Sequence, residues 1–223
     1  MKKHLSIQIA VDETYSDLES KKIAFSTRSF CNFIERKSLT FSEFKENNNI
    51  VFIISRELKS EQIIKLQDPK MIEIQLFWNI INLCELDSNQ LNATYVNIMK
   101  SGLNLLKKKL EFPYREWLEA IFEFEGIFYK NEWVQSEAHW RSINFSSNVT
   151  ACLTVEEFIL TQVVHEGHIK IDEKIIYRCK PREILFDDYL GRLILKDYRK
   201  IIYANKYNII SEFDIRKKMI ELN

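Results

Sequence analysis

The chain has 223 residues and a mass of 26.7 kDa, and its 46% hydrophobic and 29% charged content is that of an ordinary globular protein. Its 32 basic and 32 acidic side chains balance, which argues against a protein that tracks nucleic-acid phosphates, because such proteins usually carry a basic surplus. The Gly and Pro counts, four and three, are too low for long flexible linkers. We expect one domain over residues 1–223, with its weakest join at 144–148.

The cysteines and the first residues indicate the compartment. The four cysteines are far apart and form no C-x-x-C pair, which is typical of buried thiols in a reducing environment. Residues 1–8 alternate polar and apolar side chains instead of forming the apolar core of a signal peptide. No run approaches the roughly 18 apolar residues of a membrane helix. We therefore expect a cytoplasmic protein that does not enter a membrane.

A small sheet is predicted near the N-terminus. Apolar and polar residues alternate near 4–11, which predicts a strand with one buried face. The unbroken apolar run near 50–55 is typical of a fully buried strand. Between these strands Phe30, Phe33 and Ile34 have helical spacing, so a strand, a helix and a second strand follow one another.

The middle and the C-terminal part are predicted to be mostly helical. Apolar spacing and capping signals predict helices over 72–84, 91–110, 113–126, 154–163, 189–200 and 209–222. Gly126 is expected to end the third of these helices as its C-cap. Two apolar segments around Asp172-Glu173-Lys174 predict a hairpin near 169–177. The expected fold class is therefore α+β.

The common phosphate-binding and nucleophile motifs are absent from the sequence. Its four glycines are too far apart for G-x-G-x-x-G or G-x-x-x-x-G-K-[ST], and no G-x-S-x-G can be written. These absences argue against dinucleotide-binding, P-loop and α/β-hydrolase chemistry. We assign no catalytic residue and expect no cofactor.

His165-Glu166-Gly167-His168 is the best candidate for a metal site. Two histidines at i and i+3 can face one ion on a helix, and Asp172 can add an oxygen ligand. The spacing differs from the H-E-x-x-H pattern of metalloproteases, and a histidine near a helix C-terminus is favoured without any metal. His165 and His168 are therefore weak candidates, and we expect no bound metal.

Two further alternatives involve nucleic acid. Asp172-x-Lys174 resembles the acidic-x-Lys element of restriction-like nucleases, in which carboxylates hold Mg²⁺ and the lysine stabilises charge at phosphate; here it falls in the predicted turn. A DNA-binding regulator would use the basic residues Arg199, Lys200, Arg216, Lys217 and Lys218. The helix predicted over 154–163 has no Lys or Arg for base contacts, so nucleic acid is not the expected partner.

The most informative part of the chain is residues 111–145, which we call the acidic aromatic segment. Ten of the 28 aromatic residues lie in 112–145, and residues 111–137 contain seven Glu against two basic residues. One amphipathic helix explains part of this pattern, but the aromatic residues continue beyond its predicted end. Aromatic side chains are enriched at interface hot spots, and acidic rims orient docking onto basic partners. The candidate partner-binding residues are Glu116, Glu119, Glu123, Trp133 and Glu137.

These features favour a non-enzymatic protein that acts by binding another protein. The most concrete form of this hypothesis is an immunity-type protein that neutralises a toxin, such as a cationic nuclease, through the acidic aromatic segment. The alternative is an enzyme, namely a metal-dependent hydrolase or nuclease that uses His165, His168 and Asp172. An apolar patch in the segment is also compatible with a homodimer interface.

Overall fold

The computed structural model describes residues 6–39, 49–66, 71–109 and 113–216. By their internal contacts these residues form two compact units. Unit 1 comprises residues 1–131 and 154–156, and unit 2 comprises residues 132–153 and 157–223. Whether the chain unfolds as a single domain stays a prediction. The capping signals at 40–43 and 68–69 lie outside the described residues.

Unit 1 combines a four-stranded sheet with four helices. The strands are β1 (Ser6–Val11), β2 (Asn49–Ser55), β3 (Gln62–Leu66) and β4 (Met71–Phe77). The helices are α1 (Asp17–Ser26), α2 (Arg28–Ser38), α3 (Ser88–Lys109) and α4 (Tyr114–Gly126). The order in the sheet is β1-β2-β4-β3; β1, β2 and β4 run parallel to one another, and β3 runs antiparallel to β4.

One face of this sheet packs with the helices into a single core. Ile9, Phe52 and Ile74 point into the core and are buried, whereas the alternate residue Gln8 is exposed. Helix α3 approaches the sheet closely at Gly102, where an added Cβ would collide with the Phe52 ring. The buried face explains why apolar and polar residues alternate in β1, whereas β2 is apolar throughout 50–54 and its residues 51 and 53 are only partly buried.

An ion pair on α2 protects the outer edge of β1. Arg28 Nη1 donates to the Ile7 carbonyl at 2.8 Å, and the Ile7 amide donates to Glu35 Oε1 at 2.6 Å. Arg28 and Glu35 also pair with each other at 3.0 Å. Unpaired backbone groups at a sheet edge favour association with other strands, and these side chains occupy both backbone groups of Ile7.

Unit 2 contains two sheets and a short helix. Its elements are β5 (Asn131–Trp140), β6 (Phe145–Leu153), β7 (Phe158–Glu166), β8 (Ile169–Cys179), α5 (Glu183–Phe186), β9 (Arg192–Lys196), β10 (Lys200–Ala204) and β11 (Ile209–Asp214). One sheet has the order β5-β6-β7-β8 and the other has the order β11-β10-β9. Neighbouring strands are antiparallel from β6 to β8 and from β9 to β11.

The core of unit 2 contains residues from both sheets and a buried polar group. Phe158 of the first sheet and Tyr203 of the second belong to one apolar cluster. Gln162 is fully buried; its Oε1 accepts from Ser211 Oγ at 2.6 Å, and its Nε2 donates to Ser147 Oγ at 3.4 Å. Because an unpaired buried amide is costly, these bonds favour one register between the two sheets.

The predicted fold class, the two N-terminal strands and two of the predicted helices are confirmed. The fold is α+β, the strands predicted near 4–11 and 50–55 are β1 and β2, and the helices predicted over 91–110 and 113–126 are α3 and α4. Among the helices that the structure describes, none is both long enough and apolar enough to cross a membrane.

The helical prediction for the C-terminal part is wrong. Residues 192–196, 200–204 and 209–214 form strands, and the helix predicted over 154–163 is replaced by β7. In β7 the buried Phe158, Leu160 and Val164 alternate with partly exposed residues, and this period of two outweighs the capping signal. The helix predicted over 72–84 is also wrong, because β4 occupies its first six residues, where Ile74 and Leu76 are buried at alternate positions.

The hairpin predicted near 169–177 is displaced. Residues 169–177 belong to the single strand β8, and the turn lies at Gly167 and His168. Gly167 has φ +57°, a conformation that glycine adopts without a steric penalty. Asp172 and Lys174 pair with β7 instead of forming the turn. Residues 144–148 lie within unit 2, where β6 begins at Phe145.

Candidate functional site

Helix α4 carries the first part of the acidic aromatic segment on the surface of unit 1. Trp117 and Phe124 are buried in the core, as the amphipathic pattern predicts. Glu119 and Glu123 are exposed, and Glu116 is half-buried. The three predicted glutamates therefore share one helix, with two of them fully accessible to a partner.

The two exposed glutamates already have cationic neighbours. Arg115 Nε lies 3.0 Å from Glu119 Oε1 within the helix, and Lys37 Nζ lies 2.5 Å from Glu123 Oε1. Exposed pairs of this kind contribute about 1 kcal/mol or less, so a partner's cations can replace them. Nevertheless, α4 presents less unpaired negative charge than the sequence suggests.

Helix α4 ends in a Schellman motif that places Phe128 in an unusual position. The Phe128 amide donates to the Glu125 carbonyl at 3.0 Å, and the Tyr129 amide donates to the Phe124 carbonyl at 2.8 Å. The rings of Tyr129 and Phe124 pack 5.6 Å apart, which is the apolar contact typical of this motif. Phe128 has φ +54° at the position that glycine normally occupies. Gly126 is instead the last residue of the helix, so its predicted role as the cap is wrong.

The side chain at this strained position is almost completely in solvent. Phe128 is 88% exposed, and the neighbouring Ile127 and Phe122 are 39% and 56% exposed. We call Phe122, Ile127 and Phe128 the α4 apolar patch. Phe128 is one of the aromatic residues beyond the predicted end of the helix, but it is not among the five candidate partner-binding residues.

The other two predicted residues, Trp133 and Glu137, lie on β5 in unit 2. The Trp133 ring packs 6.0 Å from the buried Phe158, and its Nε1 donates to Gln135 at 3.1 Å. Glu137 lies 3.1 Å from His139 Nε2. Trp133 is therefore half-buried, and the five predicted residues belong to two different units. Their role in binding stays a prediction.

The candidate metal ligands do not share a helix. His165 lies on β7, and His168 lies in the turn that follows it. Within the described ranges, no group of three or more His, Cys, Asp or Glu side chains is arranged to hold a metal ion. Asp172 and Lys174 lie on β8, opposite Val164 and Gln162.

Of the basic residues near the C-terminus, Arg199 and Lys200 lie on the hairpin of β9 and β10, and Arg216 lies in a helical turn after β11. Arg199 pairs with Asp214 at 3.0 Å, and Lys200 pairs with Glu212 at 2.7 Å. Both acidic partners lie on β11. Residues 217 and 218 lie outside the described residues. The recognition helix that the DNA-binding alternative required over 154–163 is a strand.

A polar cluster that the sequence did not predict lies where the parallel strands β1 and β2 end. We call its members the Arg56 cluster: Asp12, Thr14, Tyr15, Glu19, Ser55 and Arg56. The carboxyl ends of parallel strands are the usual ligand-binding edge of an α/β sheet. The free hydrogen-bonding capacity of this cluster therefore decides whether it is a site.

Both terminal nitrogens of the Arg56 guanidinium are used inside unit 1, whereas the buried Nε of Arg56 has no hydrogen-bond partner among the described residues. Its Nη2 donates to Glu19 Oε1 at 2.5 Å and to the Ile80 carbonyl at 3.2 Å, and its Nη1 donates to the Thr14 carbonyl at 3.3 Å. The guanidinium also lies 3.9 Å from the centre of the Tyr15 ring. These contacts fix three chain segments to one side chain.

The carboxylates of the cluster are held in their ionised forms. The hydrogen bond from Arg56, together with bonds from Ser16, lowers the pKa of Glu19 to about 2. Burial raises the pKa of Asp12, but hydrogen bonds from Ser55 and Thr14 outweigh this effect and lower it. The Arg56 cluster is therefore a structural clamp that leaves little capacity for a ligand.

No protein-family model matches this chain, and comparison with curated proteins and with solved structures found no significant match either. The fold defines an α+β protein with a helix-covered parallel sheet in unit 1 and two sheets in unit 2.

Proposed function

We propose that this chain acts by binding another protein, with the α4 apolar patch as the anchor of the interface. The observation that carries the proposal is Phe128, an 88% exposed aromatic side chain on a residue with φ +54°. A bulky residue in the left-handed region costs about 1–2 kcal/mol. The two hydrogen bonds of the Schellman motif and the contact between the Tyr129 and Phe124 rings offset part of this cost, whereas the exposed ring of Phe128 adds little packing. Such outliers concentrate where function requires them.

The composition of the patch suits a protein interface. Aromatic residues are enriched in interface cores, where a rim of polar residues surrounds them. Here Glu119 and Glu123 form an acidic rim on the same helix, and Lys130 follows two residues after Phe128. Since α4 carries four Glu and one Arg, the proposed partner is a basic protein, whose cations replace those that pair with Glu119, Glu123 and Glu125 in the free chain.

The most concrete form of the proposal is an immunity-type protein that covers the active site of a cationic nuclease toxin. The acidic rim supports it, because electrostatic complementarity speeds association with a basic target. The predicted residues Glu116, Glu119 and Glu123 then steer the encounter, and Phe128 supplies apolar contact after it. Trp133 and Glu137 remain proposed contacts.

Affinity capture from the native host tests the anchor, with the wild-type chain and two matched variants as baits. Phe128→Gly removes the exposed ring and relieves the backbone strain, whereas Gly126→Ala changes the same helix end without touching the patch. A basic protein captured by the wild type and by Gly126→Ala, but lost from Phe128→Gly, is expected. Equal recovery of that protein on all three baits would contradict the proposal.

Association kinetics test the acidic rim once a partner is in hand. Reversing the charges of Glu116, Glu119 and Glu123 should slow association and weaken its dependence on salt, because exposed charges act mainly through long-range steering. Unchanged kinetics would reject the toxin-neutralising version while leaving an apolar anchor intact. Growth protection against the identified toxin would then distinguish neutralisation from simple binding.

A further inference from the structure

We propose that unit 2 contains a phosphate-binding cleft, a site that is separate from the α4 apolar patch. The cleft has a volume of about 320 Å³, which is within the range of small-ligand sites. It is lined by His139, Arg141, Asn144, Phe145, Ser146 and Gly167. Four of these six side chains offer hydrogen-bond donors, and one of them is a guanidinium.

The donors around the cleft have unused capacity, in contrast to those of the Arg56 cluster. Arg141 is exposed and forms no ion pair with any residue that the structure describes. Ser146 Oγ likewise makes no side-chain hydrogen bond within the described part of the chain. The Nε2 of His139 lies 3.1 Å from Glu137 Oε1. Because a carboxylate only accepts hydrogen bonds, Nε2 carries the proton, and Nδ1 donates to an anion only when the ring is protonated.

The backbone around the cleft is built from non-standard conformations. Asn144 and Gly167 both have φ +57°, and the Gly167 amide donates to the Asn144 carbonyl at 2.8 Å. The pairing of β7 with β8 shifts its register between Val164 and His165. Register shifts of this kind are over-represented beside functional sites, where they re-aim side chains.

The register also brings further cations to this end of the sheet. His165 is directly opposite Ser146 on β6 and directly opposite Lys170 on β8. Lys170 is paired with Glu173 at 2.5 Å, and Glu137 accompanies His139, so the surroundings are not uniformly positive. Arg141 is therefore the cation that a bound anion would neutralise.

The geometry favours phosphate over a carboxylate. The donors lie on three separate elements, namely the end of β5, the 3-10 turn at Arg141–Ile143 and the start of β6. This distribution suits a tetrahedral oxyanion, which accepts hydrogen bonds from several directions. A guanidinium forms two parallel hydrogen bonds with phosphate and with carboxylate alike, so the preference for phosphate rests on the distribution of the other donors. Phe145 supplies an apolar wall for the organic part of a phosphorylated small molecule.

Titration of the purified full chain with inorganic phosphate, at constant ionic strength, tests this site. Backbone amide resonances of Asn144, Ser146 and Gly167 are followed by NMR, and acetate serves as the planar-carboxylate comparison. Arg141→Gln is the test variant. Arg192→Gln is the matched control, because Arg192 is exposed on β9 of the same unit and does not line the cleft.

Saturable shifts at these three amides with phosphate are expected, with affinity reduced about tenfold or more in Arg141→Gln and unchanged in Arg192→Gln. Ser146→Ala should reduce the affinity by a smaller factor and provides a second variant if Arg141→Gln perturbs the fold. Acetate binding as tight as phosphate would overturn the phosphate assignment. Shifts that do not saturate, or that Arg141→Gln and Arg192→Gln weaken equally, would overturn the site.

Discussion

Two arginine-centred clusters in this protein have similar composition and opposite properties. Arg56 in unit 1 and Arg141 in unit 2 each lie at a sheet end, beside hydroxyl groups and a nearby carboxylate. Arg56 donates to Glu19 and to two backbone carbonyls and stacks on Tyr15. Arg141 has no such partner among the described residues and borders an open cleft.

The difference shows that spare hydrogen-bonding capacity, and not polar composition, distinguishes a candidate site from a structural clamp. A side chain whose donors are already used must break bonds before it binds a ligand, and each bond to a charged group contributes about 1.5–3 kcal/mol. The Arg56 cluster is therefore expected to matter for stability, and the Arg141 cleft for binding. The following predictions test that contrast.

The largest expected effect is on the free energy of unfolding of Arg56→Ala. The change removes the cation that pairs with Glu19, the donor to the Ile80 carbonyl and the stacking on Tyr15, so we expect a loss of about 2–4 kcal/mol. Arg141→Ala should stay within about 0.5 kcal/mol of wild type. Urea unfolding of both variants provides the measurement, and equal losses would remove the distinction between clamp and site.

The Arg56 clamp should also make stability depend on acid. The pKa of Glu19 is about 2 in the folded chain, against an ordinary value of 4.5, so the unfolded chain binds the proton more readily. The stabilisation is therefore complete above pH 4.5 and is lost as the pH falls from there towards 2, by about 1–3 kcal/mol. Glu19→Gln should flatten this part of the pH profile, and an unchanged profile would show that other carboxylates cause the loss.

Phe128→Gly should raise stability while it abolishes partner binding. Glycine adopts the left-handed conformation without strain, so we expect a gain of about 1 kcal/mol, and the lost ring was almost fully exposed. Thermal unfolding of the variant checks its stability, and affinity capture with the same sample checks its partner binding. A loss of stability would mean that the ring packs in solution and is not an available anchor.

The smallest effect is expected for Gly126→Ala. Gly126 is the last residue of α4, and no atom lies within 4 Å of the position that its Cβ would take. Alanine should therefore stabilise the helix by about 0.5–1 kcal/mol, without changing partner binding. A decrease in partner affinity here would show that the end of α4 must stay flexible, and would shift the anchor away from Phe128 alone.

The elements β1, β2, α3 and α4 could be predicted from the sequence, whereas β3, β4, β7 and β9 to β11 could not. In β1, α3 and α4 the apolar period matches the element, because each has one clearly buried face, and β2 is a continuous apolar run. In β7 the apolar residues at 158, 159, 160, 163 and 164 fit helical spacing almost as well as alternation, and a capping signal at Thr154 favoured the helix. Pairing on both sides with β6 and β8 decided the question.

The candidate residues show the same division. The sequence identified α4 and its exposed glutamates, since the position of a residue on an amphipathic helix follows from local spacing. It did not identify Phe128, because the left-handed position depends on which carbonyls the last turn leaves open. It also did not identify the cleft at Arg141, whose residues come from separate elements of unit 2.

By itself the sequence determined the α+β class, the strands and helices with one buried face, and the surface position of the α4 glutamates. All of these follow from local periodicity and from the burial of apolar groups. The tertiary structure decided which strands pair, which charged groups are satisfied internally and which remain free. Those outcomes depend on contacts between residues far apart in the chain, such as Arg56 with Glu19 and Ser146 with His165.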